Sequence, residues 1–108
     1  MEEKWTKAQK GHARELFDLA LEREYDELIK SINDTRIETP DDVWELYDML
    51  GKKRKELNGK YDYRYSQLIF VFAQLVRGGY LSLEELKPIG EEKQKSIEKM
   101  VHFRGFEI

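Results

Sequence analysis

The sequence predicts an all-α fold: one long N-terminal helix followed by a compact set of about four shorter helices, assembled as a dimer. Three observations carry that expectation. Of the 108 residues, 40% are hydrophobic and 38% charged, a Glu-, Lys-, Leu- and Arg-rich balance that favours helix and leaves densely ionic faces outside an adequate core. Apolar side chains recur at helical spacing over most of the chain. The first such stretch is also too long to be covered by its own chain.

From about residue 5 to residue 32, Leu16, Leu21, Tyr25, Leu28 and Ile32 repeat at helical spacing, and Phe17, Leu19, Ala20 and Ile29 widen the stripe. One helix of that length extends about 42 Å, longer than a compact domain of this size is wide. Part of its apolar stripe therefore needs cover from elsewhere, and a partner chain is the simplest source. Gly11 is a weak point, expected to let the first turns fray or bend. The segment 31–35, SINDT, is rich in side chains that compete for backbone hydrogen bonds and ends the helix.

A second helix opens at Thr39, which can N-cap it, with Pro40 at the first helical position and Asp41 and Asp42 at the positive end of the dipole. Its inner stripe is expected at Val43, Leu46, Leu50 and Leu57, and Asn58-Gly59 reads as its stop. A third helix, from about 60 to 77, should be the most buried, because residues 68–76, LIFVFAQLV, are apolar nearly all round. A strand is the competing reading of LIFVF, but no second strand exists to pair with it. Gly78-Gly79 ends this helix. Ser82 then caps a short one, with Glu85 completing a capping box and Leu81 set to pack on Leu86. Pro88 and Gly90 punctuate, and residues 91 to about 102 form a last helix carrying Ile97, Met100 and Val101. Residues 103–108 are expected to be a loose tail. The whole, 1–108, reads as a single domain without repeats or linkers.

Composition excludes several functions. With 19 basic against 22 acidic residues, the chain does not have the charge of a dedicated nucleic-acid or anionic-membrane binder. The absence of cysteine removes disulfides, thiolate metal sites and a cysteine nucleophile. The N-terminal MEEKWTKAQKGHARE has no signal-peptide core, and the longest apolar run, 68–73, is far short of the ~20 residues of a membrane span. A soluble cytoplasmic protein is expected. The acidic pairs Asp41-Asp42, Glu84-Glu85 and Glu91-Glu92 suit helix N-termini rather than facing carboxylate dyads, since neighbours on a helix diverge by about 100°. His12 and Glu15 have metal-ligand spacing, but no second pair accompanies them, so no metal site is expected. The basic run of Lys52, Lys53, Arg54 and Lys55, with Lys60 and Arg64, precedes Tyr61, Tyr63 and Tyr65. That mixture would suit single-stranded nucleic acid, but the acidic chain and the adjoining core helix favour docking of an acidic protein. With no phosphate loop, nucleophile elbow or zinc signature, no enzyme is expected.

Trp44, Tyr47, Asp48 and Arg54 can line one connected surface of the second helix. Trp44 then either packs in a core or dimer seam, with Asp48 in a surface ion pair to Lys52 worth about 0.3–0.5 kcal/mol, or it centres a binding hot spot. Residue types alone leave both open.

The pattern DDVWELYDMLGKKRKELNGKYD, then IFVFAQLVRGG, EEL and EKQKSI, closely resembles the fluorescence recovery protein family of cyanobacteria over about residues 17–101. The GKYD step and the IFVFAQL block are its specific parts. The resemblance implies a small helical homodimer without a cofactor. It implies binding to the photoactivated red form of orange carotenoid protein, chiefly through the latter's C-terminal domain. Faster return to the orange form would end energy dissipation at the phycobilisome. Location would be cytoplasmic, peripheral to thylakoid membranes through the partner. By position, Trp44, Asp48 and Arg54 match a functional surface near the dimer interface, and Phe70 matches a partner contact. Lys60 and Tyr61 match the GKYD step, where a structural role at the helix junction is an equal expectation. Tyr47 stands where the family pattern has a histidine, and it cannot take a positive charge near neutral pH. Tyr63 replaces a common acidic residue. Such departures fit a divergent member that keeps the dimer and serves as a helical scaffold for another signalling or stress partner, which is the alternative.

Overall fold

A capping box that the sequence reading did not anticipate opens the first element: Thr6 Oγ1 accepts from the Gln9 amide at 3.1 Å, and Gln9 Oε1 accepts from the Thr6 amide at 3.0 Å. In the computed structural model, which describes residues 4–103, helix α1 (Lys7–Asp34) follows without a break. The helix runs through Gly11, and the first turn does not fray. Besides the capping box, the Lys93 ammonium holds this end of the helix, donating to the Lys4 carbonyl at 2.6 Å and to Gln9 Oε1 at 3.2 Å. Lys93 also lies over the Trp5 ring, 4.8 Å from its centroid. Thr35 closes α1 as expected, its hydroxyl donating to the Ser31 carbonyl at 2.7 Å.

Helix α2 (Pro40–Lys60) begins with the anticipated Thr39 cap, strengthened by Asp42 Oδ2, which accepts from the Glu38 and Thr39 amides at 3.0 Å each. Those donors hold the Asp42 carboxyl below its ordinary range. The helix ends at Lys60, one residue past the expected stop at Asn58-Gly59, and Gly59 does not take the left-handed conformation. Leu57 is buried and Lys60 is drawn inward by Glu24 of α1.

The third helix starts eight residues later than the sequence suggests: α3 is Leu68–Arg77, and residues 61–67 are irregular. Tyr61 and Tyr63 alternate along this segment and both pack edge-on against Phe17, with centroids 5.3 and 4.9 Å away. Alternate side chains meeting one core residue is the behaviour of extended chain, not of a helix. Nor is α3 buried all round. Leu68, Phe72, Ala73 and Leu75 are sealed, but Phe70 is 41% exposed.

Ser82 and Glu85 form their capping box ahead of a short 3-10 helix, Glu84–Ile89, and Leu81 and Leu86 are buried in the same core. Helix α4 (Glu91–His102) starts from Gly90, whose φ of 109° favours glycine. Ile97 is enclosed, with Met100 and Val101 packed against the core. The anticipated loose tail falls mostly on residues 104–108, outside the described residues.

These elements make two regions. The head joins the first half of α1 (Ala13, Leu16, Phe17, Ala20) to α3, the 3-10 helix and α4 around one apolar core. The arm, residues 25–56, contains no buried residue at all. It is a helical hairpin from the second half of α1 into α2, with Tyr25, Ile29, Ile37, Val43, Trp44 and Tyr47 exposed. The expected inner stripe of α2 is thereby corrected: only Leu57 is buried, Leu46 and Leu50 are half-buried, and Val43 is 46% exposed. The protruding arm makes the molecule 52 × 29 × 22 Å, with a radius of gyration of 16.4 Å where a compact domain of this length has about 13 Å. Among the described residues no helix is long and apolar enough to cross a membrane.

Candidate functional site

Helix α2 has two faces with different duties. Lys53, Leu57 and Lys60 recur at helical spacing and point at α1. Opposite them, Trp44, Tyr47, Asp48 and Arg54 fall within an arc of about 120° at 100° per residue. All four are exposed, Trp44 by 62% and Tyr47 by 67%. The two aromatic rings meet edge to face, with centroids 5.9 Å apart and an interplanar angle of 77°. Asp48 borders two shallow grooves, one shared with Glu45, Met49 and Lys52, the other with Tyr47, Gly51 and Arg54. Asp48 and Lys52 line the same groove, but no salt bridge joins them in the described structure.

Phe70 is carried separately. It belongs to α3, which packs on α4 rather than on α2, so a single chain does not merge it with the α2 arc. The basic run is also split by the fold. Lys53 and Lys60 are taken by Glu24, and Arg64 is taken by Asp62. Lys52, Arg54 and Lys55 remain at the surface, a smaller cationic footprint than the sequence implies. His12 is exposed, and no cluster of three or more metal-ligating side chains occurs among the described residues.

Sequence reasoning missed the neck between head and arm. Its centre is Glu24, whose side chain has no exposed surface. Lys53 Nζ and Lys60 Nζ each lie 2.8 Å from a carboxylate oxygen, and the Tyr61 hydroxyl donates to Oε1 at 2.8 Å. Burial pushes the Glu24 pKa up, but the three donors outweigh it and hold the carboxyl below its ordinary range. The Tyr61 phenol is pushed up by burial and by Glu24. A second tie flanks the first. Arg23 grips Glu85 in a two-pronged pair at 2.9 and 2.8 Å and donates to the Tyr80 carbonyl at 2.9 Å. Its guanidinium holds Glu85 down at about 2. Tyr80 donates in turn to Glu27 at 2.7 Å. The missed signal was positional: Glu24 continues the buried stripe of Ala13, Leu16, Phe17 and Ala20 one turn on, and an acid on a core stripe demands a partner.

A family model described as photoprotection regulator fluorescence recovery protein matches residues 5–101, nearly the whole chain and more than the 17–101 legible by eye. The chain belongs to the fluorescence recovery protein family. The fluorescence recovery protein of Synechocystis sp. PCC 6803 is 41% identical over 98 residues, covering 89% of this chain and 90% of that one. The solved structure of the Fremyella diplosiphon fluorescence recovery protein superposes with a TM-score of 0.88 at 38% identity, over 93% of this chain and all of the other. The Synechocystis structure gives 0.87 at 39% identity over the same shares. Fluorescence recovery proteins are thus its relatives in both sequence and fold, and this is a family of photoprotection regulators, not of enzymes.

Proposed function

We propose that this protein acts as a homodimer on a carotenoid-binding photoprotective partner. It binds the photoactivated red form of orange carotenoid protein and accelerates its return to the orange form, ending quenching. The observation that carries this reading is the outward arc of α2, where Trp44, Tyr47, Asp48 and Arg54 stand together, all exposed among the described residues. Trp, Tyr and Arg are the residue types enriched at the centre of an interface, and Asp48 adds a charge that a cationic partner group can meet. Phe70, part-exposed on the head, supplies a second contact. The arm's apolar side chains, from Tyr25 and Ile29 to Val43, call for a second copy, since exposed apolar surface of this extent marks an interaction site.

The activity needs no acid, base or cofactor. A regulator that binds the domain-reassembly transition state of its partner better than the red starting state lowers the barrier between them. The site works in the cytoplasm and reaches thylakoid membranes only through the partner. The test is the thermal decay of red absorbance of photoconverted orange carotenoid protein with and without this protein. Acceleration that is lost in Arg54→Ala and Asp48→Leu at unchanged helix content supports the reading. Full activity in both variants removes the site assignment.

Tyr47 favours the second reading. A histidine is expected beside Asp48, and the tyrosine found there is exposed and edge-on to Trp44, so the surface has lost a group able to carry charge. If well-folded dimer leaves red-state decay unchanged, the same arc serves a different protein partner on an inherited scaffold.

A further inference from the structure

The arm leaves the head with Leu57 as its one buried apolar side chain on α2. On α1 the last buried residue is Glu24, on α2 the first is Leu57, and none lies between them. The polar tie across the neck is one carboxylate with three donors: Lys53 and Lys60 of α2 and Tyr61, its C-cap, all converge on Glu24 of α1. Arg23 and Glu27, its neighbours on α1, are tied to Glu85 and Tyr80 of the head, and Lys60 also sits 4.8 Å from the Tyr80 ring centroid. We propose that Glu24 is a positioning residue: its carboxylate clasps the two lysines of α2 and fixes the direction in which the arm, with its outward arc, stands from the head.

Charge arithmetic makes the proposal specific. The clasp holds one negative and two positive groups. Replacing Glu24 by an uncharged isostere leaves the Lys53 and Lys60 ammonium groups, on side chains only 20% and 16% exposed, without their shared counter-charge, Lys53 keeping only Glu56 at 3.6 Å, and their need for water favours α2 lifting off α1. Removing one lysine instead leaves an acid paired with one ammonium and one phenol, which is a satisfied group. The acid is therefore more critical than either lysine, and losing a lysine should repair the loss of the acid. A clasp acting merely by filling space would predict the opposite, since every deletion would then add to the damage.

Any consequence for partner binding rests on the function proposed above, but the geometry does not, so the test is made on the free protein. The chain has no cysteine, which lets two spin labels be placed at Asp41→Cys on the arm and Lys99→Cys on the head, with excess unlabelled chain keeping one labelled copy in each assembly. The parent should give one narrow arm-to-head distance, and Lys53→Met should keep it. Glu24→Gln should lose it, and Glu24→Gln with Lys53→Met should largely regain it. An unchanged distance in Glu24→Gln, or a double variant as loose as Glu24→Gln alone, overturns the proposal. Should Glu24→Gln fail to fold, Lys53→Met with Lys60→Met leaves the carboxylate with Tyr61 alone and must also broaden the distance, and a narrow distance there overturns the proposal equally. Red-state decay measured separately with the parent reports on the functional reading, so the two can fail independently.

Discussion

Head and arm are both helical, yet different forces hold them. In the head, Phe72, Leu68, Leu75, Leu86, Ile89 and Ile97 are sealed from water, and burial at about 25 cal/mol per Å² fixes each helix. In the arm nothing is sealed. Its hairpin is held by local devices, the Thr39–Asp42 capping box, Pro40 at the helix start and the Thr35 cap, and by the ionic neck below it. A region that keeps helical order while leaving its apolar side chains uncovered is suited to meet other chains, and the family's business is the regulation of photoprotection.

The contrast can be broken most forcefully in the head. Phe72→Ala removes a fully buried ring and should cost about 3–5 kcal/mol of unfolding free energy; a urea midpoint close to the parent's would mean that the core is not where stability resides. In the arm, Thr39→Ala deletes one half of a capping box and should cost about 1 kcal/mol, read as lost helicity and faster amide exchange confined to the start of α2. Acid should loosen the neck. The Glu85 carboxyl falls from an ordinary 4.5 to about 2 because Arg23 binds its charged form. A group depressed on folding stabilises fully above its unfolded value and loses that contribution as pH falls from about 4.5 to about 2. The loss is on the order of 1 kcal/mol once solvent screening of this partly exposed pair is allowed for, and Glu85→Gln should flatten that part of the stability profile. The smallest change belongs to the outward arc: Trp44→Ala should move stability by less than about 0.5 kcal/mol while slowing partner recovery, and a large drop in melting temperature would show that Trp44 packs rather than recognises. Ile29→Asp should likewise spare the head but shift sedimentation from dimer to monomer.

What the sequence made legible follows the same division. Local signals read correctly: the start of α2 at Thr39 and Pro40, the Ser82–Glu85 box, the end of α1 near Thr35 and the span of α4 all depend on neighbours in sequence. Asn58-Gly59 marked the end of α2 to within a residue, but not that Lys60 would be held by Glu24, far away along the chain. Tyr61 and Tyr63 were legible as alternating residues, yet were read into a helix because the apolar block follows them so closely. Phe17, which fixes their spacing, is another distant partner. Of the candidate site, the shared face of Trp44, Tyr47, Asp48 and Arg54 could be read from spacing. That Lys53 faces away from the arc and that Phe70 belongs to a separate helix follow from the same spacing; that Glu24 of α1 claims Lys53, and that α3 packs on α4, depend on packing that no spacing encodes.

The two tryptophans divide between the two regions. Trp5 lies beside Tyr65 with a lysine over its ring and its indole nitrogen enclosed, while Trp44 is open to water. The protein therefore carries a built-in pair of optical reporters. A soluble quencher should darken Trp44 first, leaving the shielded emission of Trp5. Docking of another chain on the arm should then protect Trp44 without altering the signal from the head, so occupancy of each region can be followed by light alone in the unlabelled molecule.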